Sequence, residues 1–461
     1  MRIKFILYPI FSQLARLRFP RLTAKLLAFS LQDLRKQPQI GKAEKPRHRA
    51  LILNLNKPGF LEDIEESLLC DSDFDVLCWP NYALKAIASS MLNPHLNNKR
   101  YASDDPAIEA SKQVYRQFLV EMWQHFQTLK PIDVVLSANF GYFAQREFGA
   151  ALEKCGTPFM VLHKENVKSP GRVKYWHAYY ETRGEFEGRK ILVYNETERD
   201  LQIAAGTSGP EKQVVTGMPR LDRLHRWRRA NAGIDANTAH TQVLLFSFWR
   251  KEKVTATERI TADRIRVDDP DGEWAAFGWS ELCEKTHRAV VQAARMRPNA
   301  RFVIKTKAHS RRVDDIWEIL RQADGPLPDN LEVISGGDPF PLLIGSTVVI
   351  GFNTTALLEA LAAGKPVIVP NFDEALDPRM QDLIIDVGDA VDRPESAEDL
   401  VKMICDYVDT PREIPMNISS DASHALRYWV GNEDGAAGQR VLAAVRNEVG
   451  ASLKCFDSGL S

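Results

Sequence analysis

Residues 350–370, IGFNTTALLEALAAGKPVIVP, contain residue types that can bind a phosphate. Asn353, Thr354 and Thr355 follow an apolar run and precede a helical pattern. Free backbone NH groups, hydroxyl donors and the positive end of a helix dipole would meet there, and all three favour an anion. The sequence therefore predicts a phosphate-binding turn. The alternative is that Asn or Thr only caps the helix.

Glu359 is the only charged residue of that helical pattern. A capping-box glutamate needs Ser or Thr three residues earlier, and Ala356 occupies that position. The carboxylate is therefore predicted to accept hydrogen bonds from a ribose whose phosphate lies at the turn. The alternative is a solvated side chain or an ion pair with Lys365.

Potential cations follow two further apolar runs. Arg250 follows the run QVLLFSF, and Lys305, Lys307 and His309 belong to RFVIKTKAHS. Together these groups could neutralise a diphosphate. The alternative is a solvated strand end, which is most credible for Lys307.

His163 and Glu165 could supply a general base. Both follow the apolar run PFMVL, within LHKENVKSPG. A histidine or carboxylate at a strand end can take the proton of an acceptor hydroxyl, although a histidine there is more often structural. Further along, VVTGMPRLDRL predicts a fixed turn at a hinge or cleft, with four residues of interest: Gly217, Pro219, Arg220 and Asp222.

Short apolar runs that alternate with helical patterns are expected to position these residues. The runs are 50–56, 75–79, 133–139, 158–163, 190–195, 212–217, 242–248, 301–307, 330–335, 347–352 and 366–372. Runs that are apolar on both faces are typical of buried parallel strands, and two such β-α series predict an α/β protein. The expected architecture is two Rossmann-like domains whose parallel sheets face each other across a cleft. The longest helix is predicted at about 107–129, opened by Asp105 and Pro106.

Apolar periodicity is lost over residues 226–242, which marks a domain boundary. The predicted segments are a basic amphipathic N-terminal segment (1–49), a first Rossmann-like domain (50–228), a second Rossmann-like domain (229–430) and a C-terminal helix or tail (431–461).

Composition excludes several classes of protein. The 461 residues carry a net charge of -1 and are 44% apolar. The chain therefore lacks the overall basic excess that would indicate nucleic-acid binding. The six cysteines form no CxxC pair, which argues against a disulfide framework and against a zinc site and favours the cytoplasm. No GxGxxG, Walker, HExxH or GxSxG motif occurs, so a dinucleotide oxidoreductase, a P-loop kinase, a zincin and a serine hydrolase have no local support. We expect no metal and no bound cofactor.

The N-terminal segment is strongly basic, with twelve Lys or Arg against two acidic residues in residues 1–49. No apolar run approaches the roughly 18 residues that a spanning helix needs. Leu, Phe and Ala alternate with basic residues at helical spacing, which is typical of a helix lying on an anionic membrane surface through residues 1–40. A basic helix packed on the protein's own surface, or a poorly ordered arm, is an equally good interpretation.

The ordered set LHKENVKSPG, VYNETERD, VVTGMPRLDRL, LLFSFWR, VIKTKAHS and IGFNTTALLEALAAGKPVIVP resembles a family of bacterial surface-carbohydrate and capsule biosynthesis proteins. These are related to the CDP-glycerol glycerophosphotransferases, or teichoic acid polymerases, a branch of the GT-B glycosyltransferases. The resemblance covers roughly residues 130–375. It implies a GT-B fold, a nucleotide-activated donor on the second domain and a base on the first.

The resemblance is partial at individual residues. His163 matches the family's candidate base, but Lys164 and Glu165 replace the Gly-Thr that follows it, so Glu165 is a rival base. Arg250 and His309 match donor-side residues. The pair of threonines at 354–355 replaces paired serines, and Glu359 occupies the position of a carboxylate near the nucleotide ribose. These departures favour a sugar donor over glycerophosphate.

The resemblance therefore implies a metal-independent, inverting glycosyltransferase that builds a bacterial surface polysaccharide. Its partners would be a nucleotide sugar as co-substrate and a lipid-linked or polysaccharide acceptor. Its location would be the cytoplasm, with peripheral association at the inner face of the membrane. The alternatives are a glycerophosphotransferase, an isomerase of the nucleotide-sugar 2-epimerase type and a non-catalytic assembly factor.

Overall fold

A computed structural model describes residues 2–35, 47–53, 55–57, 59–80, 82–96, 101–102, 105–233, 241–250, 278–307, 310–323 and 325–457. The chain divides into two compact units. The N-terminal unit comprises residues 1–166, 176–222 and 436–461, and the C-terminal unit comprises residues 167–175 and 223–435. Each unit contains one sheet with helices, which confirms the predicted α/β class with two parallel-sheet domains.

The strands of the described residues lie close to the predicted apolar runs. They are β1 (Gln32–Asp33), β2 (His48–Ile52), β3 (Phe74–Cys78), β4 (Val134–Ser137), β5 (Phe159–Leu162), β6 (Lys190–Val193), β7 (Gln213–Val215), β8 (Gln242–Phe246), β9 (Arg301–Thr306), β10 (Leu331–Ser335), β11 (Val348–Gly351) and β12 (Val367–Ile368).

The helices lie mainly between these strands. They are α1 (Arg2–Arg16), α2 (Pro20–Phe29), α3 (Phe60–Glu65), α4 (Ala83–Met91), α5 (Pro106–Leu129), α6 (Phe143–Lys154), α7 (Val173–Glu181), α8 (Glu196–Ala204), α9 (Asp222–Ala230), α10 (Ser280–Met296), α11 (Ser310–Arg321), α12 (Phe340–Ile344), α13 (Ala356–Ala362), α14 (Ala397–Asp409), α15 (Ser420–Val430) and α16 (Ala437–Asp457).

The sheet of the N-terminal unit has the strand order β1-β3-β2-β4-β5-β6-β7. Strands β2 to β7 pair in parallel, whereas the short edge strand β1 is antiparallel to β3. Strands β4 and β5 are buried along their whole length, as expected for strands with helices on both sides.

The sheet of the C-terminal unit is entirely parallel, in the order β10-β9-β8-β11-β12. The chain moves outward from β8 to β10 and then returns to add β11 on the other side of β8. Such a reversal is a topological switch point, and open α/β sheets bind ligands at the carboxyl ends of the strands beside it. In this unit the carboxyl ends of β8 and β11 flank the switch point.

The long helix α5 begins as its sequence predicts. Asp105 is the N-cap, and its side chain accepts a hydrogen bond from the backbone N of Ala107 at 2.9 Å. Pro106 occupies the first helical position, where its missing NH donor is tolerated. Trp123 and Phe126, from the same helix, are fully buried in the core of the N-terminal unit.

The basic N-terminal segment forms α1 and α2, which pack against α4 and α5. Phe11 and Leu27 are buried in this contact. The chain reverses at Arg18, which has a left-handed conformation with φ of 55°. In the described residues, no helix combines the length and the apolar character that crossing a bilayer requires.

Candidate functional site

The residues predicted to bind the nucleotide donor lie at the ends of three neighbouring strands of the C-terminal unit or directly after them. Phe246, at the end of β8, is aligned with Lys305 of β9 on one side and with Gly351 of β11 on the other. The backbone N of Ser247 donates to the carbonyl oxygen of Lys305 at 2.9 Å. Because adjacent strands lie about 4.8 Å apart, the loops after these strands begin side by side.

Aromatic contacts fix the loops after β8 and β11 against each other. The rings of Phe248 and Phe352 have centroids 5.3 Å apart, and Phe352 meets Trp279 edge-on at 4.8 Å. The backbone N of Trp279 in turn donates to the carbonyl oxygen of Arg250 at 2.6 Å. These contacts pack three aromatic rings together beside the switch point.

Asn353 shapes the predicted phosphate turn but uses its side chain elsewhere. Its φ of 50° lies in the left-handed region, which asparagine tolerates better than most residues. Its Nδ2 donates to the carbonyl oxygen of Leu383 at 3.0 Å, and its Oδ1 accepts from the backbone N of Ile385 at 2.8 Å. The amide therefore holds the chain at 383–385 in place.

Thr354 and Thr355 lie half-buried at the start of α13. The Oγ1 of Thr354 accepts a long hydrogen bond of 3.4 Å from the backbone N of Ala356, and Thr355 makes no side-chain cap. Glu359 lies half-buried on the same helix. The ammonium of Lys365 lies 4.6 Å from the centre of the Trp227 ring.

The predicted cations differ in their surroundings. The Nη2 of Arg250 forms an ion pair with Oε1 of Glu284 at 2.6 Å. Lys305 is only 8% exposed, burial lowers its pKa below the usual value, and its Nζ donates to the carbonyl oxygen of Thr306 at 3.3 Å. Lys307 is exposed. His309 lies outside the described residues.

In the N-terminal unit, His163 follows β5 and is only 1% exposed. Its Nε2 lies 3.2 Å from the hydroxyl of Tyr180 and 3.2 Å from Oε1 of Glu198. Its Nδ1 is buried without a hydrogen-bond partner among the described residues. Glu165, two residues later, is exposed. Of the two predicted bases, only Glu165 is at the surface.

Arg220 belongs to a buried polar cluster with Asp63 and Tyr194. Its Nη1 lies 3.2 Å from Oδ2 of Asp63 and donates to the hydroxyl oxygen of Tyr194 at 3.1 Å, while its backbone N donates to Oδ1 of Asp63. Gly59 makes room for the guanidinium, since a Cβ there would lie 3.3 Å from Cζ of Arg220. Arg220 therefore has a structural partner within its own unit.

Lys164, which lies between the two predicted bases, is a candidate functional residue that the sequence did not single out. Its side chain is half-buried, and burial together with the positive charge of Arg220 lowers the pKa of its amine to about 8. Asp63 and Glu165 oppose this shift without reversing it. The signal in the sequence was its place directly after His163, where the resembled family has glycine.

The chain around Gly217 has a positive φ of 83° at Gly217, followed by a short helix at Pro219–Leu221. Asp222 then accepts hydrogen bonds from the backbone N of Ala437 at 3.2 Å and of Gly438 at 2.8 Å. It therefore caps α16. A hinge role for this turn stays a prediction.

No protein-family model and no curated protein sequence matches the chain. Among solved structures it is similar to a Listeria monocytogenes protein described as a UDP-N-acetylglucosamine 2-epimerase, with 12% identity and a TM-score of 0.47 over 87% of this chain and 96% of that one. The UDP-GlcNAc 2-epimerase of Neisseria meningitidis, bound to UDP-GlcNAc, shows 12% identity and a TM-score of 0.44 over 87% and 99%. MurG of Acinetobacter baumannii shows 12% identity and a TM-score of 0.40 over 87% and 100%. Similarities this remote establish neither a family nor an activity.

Proposed function

We propose that the protein is a GT-B glycosyltransferase that binds a nucleotide sugar at the carboxyl ends of β8, β9 and β11. The observation that supports this proposal is the alignment of Lys305, Phe246 and Gly351 across three adjacent strands at a topological switch point. The loops that follow contain the hydroxyls and cations that a diphosphate requires.

In this proposal, the hydroxyls of Thr354 and Thr355 donate to the phosphates. Arg250, Lys305, Lys307 and His309 supply positive charge. An anion would favour the charged form of Lys305, which burial disfavours in the free protein. Glu359 accepts from the ribose. Stabilisation of the leaving nucleotide by these groups supplies the electrostatic part of catalysis.

Glu165 is the proposed base that takes the proton from the hydroxyl of the acceptor substrate. Its carboxylate is exposed, whereas His163 is enclosed by Phe140, Tyr180 and Glu198. His163 would then have a structural role, in the core next to the loop that contains Glu165. Attack by the acceptor hydroxyl with loss of its proton to Glu165 corresponds to an inverting displacement.

We further propose a lipid-linked acceptor for surface-polysaccharide synthesis, which would place the protein on an anionic membrane surface. Support comes from α1, α2 and the turn that joins them, where exposed apolar side chains are interleaved with exposed basic ones. The apolar ones are Ile10, Leu17, Phe19, Leu22 and Phe29, and the basic ones are Arg16, Arg18, Arg21 and Lys25. This combination fits the interface of a bilayer with negatively charged headgroups.

The test is incubation with UDP-, CDP-, GDP- and ADP-sugars and CDP-glycerol, followed by phosphorus NMR and sugar analysis. Free nucleotide with a transferred sugar supports the proposal. An intact nucleotide with an altered sugar would identify an epimerase, turnover of CDP-glycerol alone a glycerophosphotransferase, and absence of binding a non-catalytic factor. Glu359→Ala should weaken nucleotide binding about tenfold if the ribose contact exists. Unchanged affinity would remove that contact.

A further inference from the structure

Ser247 and His287 form a hydrogen-bonded pair at the carboxyl end of β8. The Oγ of Ser247 lies 3.1 Å from Nε2 of His287, which projects from α10 and is completely buried. The backbone N of Ser247 is fixed by its hydrogen bond of 2.9 Å to the carbonyl oxygen of Lys305. Both partners are therefore held in one arrangement.

The direction of this hydrogen bond follows from the other ring nitrogen. Nδ1 of His287 lies 2.6 Å from the carbonyl oxygen of Cys283, and a carbonyl oxygen can only accept. Nδ1 therefore carries the hydrogen. Burial, reinforced by the charge of Arg250, lowers the pKa of His287 to about 4, so the ring carries no second proton at neutral pH. Nε2 is left with a lone pair, and Ser247 donates to it.

The neighbouring thiol does not change this assignment. The Sγ of Cys283 lies 3.6 Å from Nδ1 of His287 and donates to the carbonyl oxygen of Phe248 at 3.4 Å. Burial raises the pKa of Cys283 to about 12, so the thiol stays protonated. No thiolate is present to draw a second proton onto the ring.

A serine hydroxyl has one hydrogen and two lone pairs. The hydrogen of Ser247 is used by His287, and in the described part of the chain no group donates to its oxygen. Ser247 is half-buried and lines a pocket with Phe248, Trp249 and Thr306. Towards a ligand in that pocket it is therefore an acceptor only.

A hydrogen-bond acceptor in the protein favours those parts of a nucleotide sugar that can donate a hydrogen. The phosphate oxygens of a diphosphate are predominantly acceptors at neutral pH, whereas sugar hydroxyls can donate. We propose that Ser247 accepts a hydrogen bond from a sugar hydroxyl of the nucleotide sugar, with His287 as the positioning residue that fixes this polarity. The inference rests on the proposed function, and it assigns the recognition of a sugar hydroxyl to Ser247, whereas the phosphates are bound by the hydroxyls and cations named above.

The test compares two kinds of probe by titration calorimetry, namely the nucleotide sugars UDP-glucose, CDP-glucose, GDP-mannose and ADP-glucose, and inorganic pyrophosphate. Ser247→Ala should lower the affinity for the tightest-binding nucleotide sugar about tenfold, as expected for one hydrogen bond with a buried partner. It should leave pyrophosphate affinity unchanged. Ser247→Thr should restore binding. The matched control, Thr354→Val, should weaken both kinds of probe.

His287→Leu should reproduce the selective loss, and His287→Gln, whose amide oxygen can accept from Ser247, should recover part of it. A merely structural role for His287 would weaken both probes equally. The inference is overturned if Ser247→Ala leaves the affinity for the nucleotide sugar unchanged or lowers the affinity for pyrophosphate to the same extent. Failure of every nucleotide sugar to bind the unmodified protein would overturn the proposed function as well.

Discussion

Replacement of Lys164 with methionine is expected to stabilise the N-terminal unit at neutral pH. The amine of Lys164 is partly removed from water, and the guanidinium of Arg220 repels it. Asp63, Glu165 and Glu62 attract it, but burial and Arg220 outweigh them. Methionine keeps most of the buried stem and removes the charge.

The size of the effect follows from the pKa. A fall from the usual 10.5 to about 8 corresponds to a penalty of about 3 kcal/mol on the charged folded state. Because the folded pKa is the lower one, the unfolded chain binds more protons between these values. The penalty is therefore complete below pH 8 and disappears as the pH rises towards 10.5.

The assay is urea unfolding of the unmodified protein and of Lys164→Met at pH 7, 9 and 10. The variant should be more stable by about 3 kcal/mol at pH 7, about 2 kcal/mol at pH 9 and about 1 kcal/mol at pH 10. Lys85, exposed on α4, provides the matched control, and Lys85→Met should change stability by less than about 0.5 kcal/mol at every pH. Equal stabilities at pH 7, or a gap that does not shrink with pH, would refute the reasoning.

Two further predictions concern the ends of the chain. Asp222→Ala should remove the cap of α16, lower the unfolding free energy by about 1–2 kcal/mol and accelerate proteolytic cleavage within the helix, whereas Asp222→Asn should retain part of the cap. A Leu17→Ser, Phe19→Ser double variant should bind phosphatidylglycerol vesicles at least about tenfold more weakly in a sedimentation assay, because two exposed apolar anchors are lost. Phosphatidylcholine vesicles are the control for charge, and undiminished binding to the anionic vesicles would argue against this surface.

The strands were predictable because their sequence pattern is local. Strands buried on both faces read as continuous apolar runs, and each of the runs predicted here overlaps a strand of the structure. The edge strand β1 was not predicted. Its two residues, Gln32 and Asp33, have no strand pattern of their own and become a strand only by pairing with Cys78 and Leu77.

The site was predictable only in part, because many contacts of its side chains are distant in sequence. The order of strand ends placed Arg250, Lys305 and Thr354 at one edge of the sheet. The enclosure of His163 could not be read from LHKENVKSPG, since Tyr180 and Glu198 come from helices further along the chain.

The same difficulty applies to the hydrogen bonds of Asn353 and of Ser247. Asn353 is engaged by residues about thirty positions later, at Leu383 and Ile385. Ser247 and His287 are 40 positions apart and meet only because α10 returns along β8. Neither separation leaves a pattern in the sequence.

The cap that Asp222 provides for α16 has a consequence for biosynthesis. The N-terminal unit includes residues from 436 onward, so its sheet is synthesised long before one of its helices. Domains generally fold as units while the chain emerges from the ribosome. Here all residues of the C-terminal unit are synthesised before residue 436, so this unit can fold before α16 is available. Until α16 has been translated, the N-terminal unit is incomplete, and the carboxylate of Asp222 lacks the backbone NH groups of Ala437 and Gly438.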